Sequence, residues 1–79
     1  MSIFAFELNS KFKDIARREG LTNEDLFVEF MAARFPYEED DRYIAEWANR
    51  FKSGDPAAYM DSKSLAIYGN ILKKLRGVV

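Results

Sequence analysis

Side chains that do chemistry at neutral pH are scarce in this chain. It has no His and no Cys, so the commonest general base, the softest nucleophile and the ligands of a closed zinc site are missing from its repertoire. Carboxylates, Ser, Tyr and Lys remain. Ser62, Lys63 and Ser64 stand together, and a lysine can activate a serine, but neighbours in a helix point about 100° apart and do not meet. The segment reads better as a helix cap with a solvated lysine. Glu38-Glu39-Asp40-Asp41 offers hard oxygen ligands to Mg²⁺ or Ca²⁺. It lacks the alternate spacing and central glycine of a calcium loop, and reads as acidic compensation of a helix N-terminus. Gly20, Gly54, Gly69 and Gly77 are scattered, so no glycine-rich phosphate cradle is formed. No catalytic, cofactor-binding or metal-ligating residue is expected, and the chain is read as a binder rather than an enzyme.

The elements that display these side chains follow from apolar spacing. With 79 residues, 48% hydrophobic and 15% aromatic, residues 1–79 are expected to form a single folded domain. Phe4, Leu8, Phe12 and Ile15 lie at steps of four, four and three, with Ala5 and Ala16 beside them; this stripe predicts a helix from just after Ser2 to Gly20. The competing reading, a short strand over Phe4, Phe6 and Leu8, leaves a helix starting only near Ser10. Thr22 with Asp25 forms a capping-box pattern and Leu21 with Leu26 a hydrophobic staple, which start a second helix near Asn23. Pro36 stops it by Phe35. A third helix runs from the acidic tetrad to Ser53, burying Tyr43, Ile44, Trp47 and Phe51, with Gly54 at its C-terminal end. Asp55-Pro56 opens one short turn. Asp61 or Ser62 caps a last helix whose stripe is Leu65, Tyr68, Leu72 and Leu75, ended by Gly77. The fold class is all-α, four main helices and one short helical turn.

Charge is segregated along the chain. Residues 1–18 carry a net +2, residues 19–41 carry −7 and residues 42–79 carry +4, which predicts a bipolar surface despite a net charge of −1. The acidic block supplies candidate protein-binding residues Glu24, Asp25, Glu29, Glu38, Glu39, Asp40 and Asp41. On the second helix, Leu26, Phe30 and Ala33 make one stripe, while Phe27, Val28, Met31 and Phe35 widen the apolar surface beyond the arc of an ordinary surface helix. Such a helix is either central or at an interface, and Phe27, Met31 and Phe35 are the candidate contacts with a second copy or a partner. Ile3 and Phe6, opposite Phe4 on the first helix, add to that option. Tyr43, Trp47 and Phe51 invite base stacking, but aromatics at helical spacing are expected in the core.

Two functional readings follow. The first is a small α-helical protein-interaction module, an acidic-faced inhibitor or adaptor of the kind phages and mobile elements carry, that binds a larger protein or nucleoprotein complex through its basic surface. The second is a dimeric DNA-binding regulator. Ile15-Ala16, Gly20-Leu21-Thr22 and Leu26 loosely follow the alanine, turn-glycine and hydrophobic pattern of a helix-turn-helix. Here Lys63, Lys73, Lys74 and Arg76 are the nucleic-acid contacts. Against it, the first turns of the would-be reading helix offer Asn23, Glu24, Asp25 and Glu29, and carboxylates beside phosphates repel. The opening residues, Met1 to Glu7, lack a basic leader, and no apolar run approaches the length of a membrane span. The expected location is therefore cytoplasmic, without membrane contact.

Overall fold

The computed structural model describes the backbone of residues 3–77 and the side chains of residues 9–77. Its elements are α1 (Ile3–Arg18), α2 (Glu24–Arg34), α3 (Asp41–Lys52), a 3₁₀ turn (Pro56–Tyr59) and α4 (Ser62–Leu75), with no strand among the described residues. The all-α expectation holds. The helical reading of the first segment also holds from Ile3 onward. The expected roles of the Ile3, Phe4, Ala5, Phe6 and Leu8 side chains fall outside the described residues.

Backbone geometry explains where each helix stops or starts. After α1, Leu21 N–H donates to the Ala16 carbonyl at 2.9 Å and Gly20 N–H to the Arg17 carbonyl at 3.0 Å. This paired closure needs a left-handed residue, and Gly20 supplies it at φ +85°. Leu21, just past the turn, is buried and fixes the entry into α2. The expected Thr22–Asp25 box does not start that helix. Asn23 is the cap residue and its side chain makes no capping bond; Glu24 is held instead by Arg17, which donates twice at 3.0 and 2.9 Å. At the far end, Phe35 N–H closes onto the Met31 carbonyl at 2.8 Å, and Pro36 has no N–H to continue the ladder. Asp40 caps α3 by accepting from Arg42 N–H at 3.0 Å, and Asp61 caps α4 by accepting from Ser64 N–H at 2.8 Å.

α2 is the centre of the packing, lying against α1 and α4 while α1 also meets α3. Phe27, Phe30 and Met31 are fully buried. Of the two readings of this helix, central or at an interface, the central one is observed: Phe27 and Met31, candidate contacts of the other, have their apolar surface covered by the chain's own helices. Phe35 is half-buried, with its ring edge-on to Tyr43 at 5.3 Å and to Phe30 at 6.2 Å, so it too is committed inward. Phe30 is the hub, with ring centroids 5.2 Å from Trp47, 5.5 Å from Phe51 and 6.3 Å from Tyr68. Trp47 is 3% exposed, which makes the aromatic run of α3 core and not a stacking platform.

α4 departs from its expected face. Its buried residues are Ser64 and Ile71, with Ile67 and Tyr68 packed at the edge, whereas Leu65 and Leu75 are 43% and 46% exposed. Ser64 explains the rotation. It is 3% exposed and accepts from Arg34 Nε at 2.9 Å, so a hydroxyl occupies a core position that apolar periodicity passes over.

Candidate protein-binding surface

The seven candidate carboxylates do not form one face. Asp25 sits in the first turn of α2 and the tetrad lies beyond its other end; an 11-residue helix separates them by about 16 Å. Several are also already paired. Glu24 holds Arg17, Glu29 takes Lys74 Nζ at 2.9 Å and Asp41 takes Lys11 Nζ at 2.7 Å. The bases that flank the acidic block in sequence therefore fold back onto it, and the expected bipolar surface shrinks.

What stays together is residues 36–41, the connection between α2 and α3 with the first residue of α3. Tyr37 is 76% exposed, Glu39 and Asp40 are exposed and Glu38 is half-buried. The segment is held at several points. Glu38 N–H donates to the Phe35 carbonyl at 3.1 Å, and the Glu38 carboxylate accepts from Asp40 N–H at 3.1 Å. Lys11, reaching across from α1, donates to the Glu39 carbonyl at 3.0 Å in addition to its pair with Asp41. Asp40 completes the cap of α3. The result is an exposed aromatic beside several carboxylates on a backbone that loses little freedom when something docks.

Lys11 and Tyr37 are the residues that sequence reasoning missed. Tyr37 carries a signal in hindsight, since it follows the proline that ends α2 and so cannot join the stripe. Lys11 carries none, because its partners lie 28 residues or more away. A second exposed aromatic, Tyr59 at 56%, has a local explanation. The Arg50 guanidinium lies 5.0 Å from its ring and 4.7 Å from that of Trp47, with Glu46 closing the ion pair.

The alternative nucleic-acid residues are also dispersed. Lys63 is in the first turn of α4 while Lys73, Lys74 and Arg76 are at its end, and Lys74 is engaged with Glu29. Among the described residues no cluster of three His, Cys, Asp or Glu is placed to hold a metal ion, and no helix is long and apolar enough to cross a membrane. Hydrogen bonds from Arg17 hold the Glu24 carboxyl below its ordinary range, hydrogen bonding from Ser64 does the same for Asp61, and burial pushes the Tyr68 phenol up. Comparison with protein-family models, with curated proteins and with solved structures returns no match.

Proposed function

We propose that this chain is a small α-helical protein-interaction module that acts by binding, not turnover. Its contact is the acidic connection at residues 36–41, and its partner is a larger protein or nucleoprotein complex presenting a basic surface, as for an inhibitor or adaptor working in the cytoplasm. The observation that carries this reading is Tyr37, 76% exposed on a segment fixed by Lys11 and by the cap of α3. Tyrosine is among the residues that dominate interface energetics, and carboxylates around it steer a cationic surface toward it. Pre-ordering lowers the entropy cost of docking.

The test is affinity capture with tagged protein from cells of its source. Tyr37→Ala and Glu39→Lys are each expected to release the captured partner while leaving the circular-dichroism spectrum unchanged, because neither side chain is part of the core. Retention of the same partner by both variants refutes this surface. Duplex DNA titrated at low salt tests the regulator reading; steeply salt-dependent binding would favour it over the module.

A further inference from the structure

The outward side of α4 carries a regularly spaced row of residues with a glycine at its middle. Leu65, Gly69 and Leu72 follow one another at steps of four and three, which lines them along one side of α4, and Asp61 and Arg76, four positions beyond at either end, are its cap residues. Leu65 is 43% exposed, Leu72 is half-buried and Arg76 is exposed; Asp61, which accepts from Ser64 N–H and pairs with Arg34 at 3.6 Å, still leaves its side chain 63% exposed. At its middle, a β-carbon added to Gly69 would meet nothing within 4 Å. A glycine inside a helix is destabilising relative to alanine, and neither a turn, nor a positive φ, nor a close neighbour in this fold calls for one here.

We infer that α4 is the seam of a weak symmetric homodimer in which two copies of the helix pack antiparallel about a twofold axis passing between Tyr68 and Gly69. The order of residues is a charge palindrome about that point. Leu65 of one copy lies opposite Leu72 of the other, Gly69 opposite Tyr68, and Asp61 opposite Arg76, at both ends of the seam. A symmetric contact of this kind brings each patch onto itself. The parallel arrangement sets Asp61 against Asp61 and Arg76 against Arg76, so the same charges that favour one orientation oppose the other. Gly69 then has a use, since a missing side chain at the crossing lets the two helix backbones approach closely. This inference does not depend on the acidic connection being a binding surface.

Fourteen residues make a helix of about 21 Å, and one such helix from each copy offers less surface than a permanent dimer buries. Association is accordingly expected between about 10 μM and 1 mM, where small interfaces operate. Sedimentation equilibrium over that range should show the weight-average mass rising from 9.2 kDa toward twice that value. Arg76→Glu and Asp61→Lys should each remain monomeric alone, with the mixture of the two recovering association, because the exchanged charges pair again across the seam. Gly69→Gln extends a side chain into open space in the monomer and retains helical propensity, so it should fold and abolish association by itself. Wild-type protein that stays at 9.2 kDa throughout, or a folded Gly69→Gln variant that associates like wild type, overturns the inference. Failure of the two folded charge variants to associate on mixing overturns the antiparallel register.

Discussion

Replacing Gly69 by alanine adds one methyl group to the middle of α4, and the structure makes the sign of the result definite. The new β-carbon has no atom within 4 Å to strike, and the backbone is ordinary helix. The remaining effect is the loss of conformational freedom that the glycine gives the unfolded chain, worth about 0.5–1 kcal/mol. For a domain of this length the melting temperature should rise by about 2–8 °C. Thermal unfolding followed by far-ultraviolet circular dichroism, at protein concentrations low enough to exclude association, measures it. Two controls run the other way. Gly20 and Gly54 have φ of +85° and +122°, where a side chain is strained, so alanine at either lowers the midpoint. At Gly20 the added carbon also comes within 3.2 Å of Lys52 Nζ, a flexible group that can yield, so backbone strain of roughly 1–2 kcal/mol sets the cost. An unchanged or lower midpoint for Gly69→Ala would refute the reasoning, as would a Gly20→Ala protein as stable as wild type.

Three other outcomes are expected. Trp47→Ala removes a side chain in contact with the rings of Phe30 and Phe35 at a cost of about 3–5 kcal/mol, comparable to the whole net stability of so small a domain; its helical circular-dichroism signal should collapse at 25 °C. Ser64→Ala leaves the partly buried Arg34 Nε without its acceptor and should destabilise by about 1–3 kcal/mol, read as a lower urea midpoint. Stability should also fall at both pH extremes. Glu24 and Asp61 have lowered pKa values, so the unfolded chain takes up their protons first; their contribution is complete above the unfolded values near about pH 4 and is lost as pH drops through the folded ones. Glu24→Gln with Asp61→Asn should flatten that acid limb. Tyr68 is raised, so its contribution is complete below the unfolded value of about 10 and is lost as pH rises toward the folded one; Tyr68→Phe should remove that alkaline loss.

The helix ends were legible because they depend on local chemistry. Pro36 cannot donate, Gly20 and Gly54 reach positive φ, and Asp40 and Asp61 bond to amides two or three residues on. The facing of helices was legible only where polar and apolar residues alternate sharply. On α3 the periodicity placed Ile44 and Trp47 correctly. On α2 every position from Leu26 to Ala33 but Glu29 is apolar, so its pattern could not separate a central helix from one with a sticky outer side. On α4 the buried hydroxyl of Ser64 broke the pattern, and the leucines were assigned to the wrong side. Charge segregation misled for a different reason. Lys74 and Glu29 are 45 residues apart, and the chain's own folding cancels charges that a running total keeps separate.

The burial of Trp47 has a practical side. It is the sole tryptophan of the chain, and its indole nitrogen is buried with no hydrogen-bond partner among the described residues. Emission from the native protein should therefore lie toward the blue, and its red shift on denaturation should report the loss of the central cluster without any label. Deuterium uptake at that single nitrogen would time the opening of the interior rather than the fraying of helix ends.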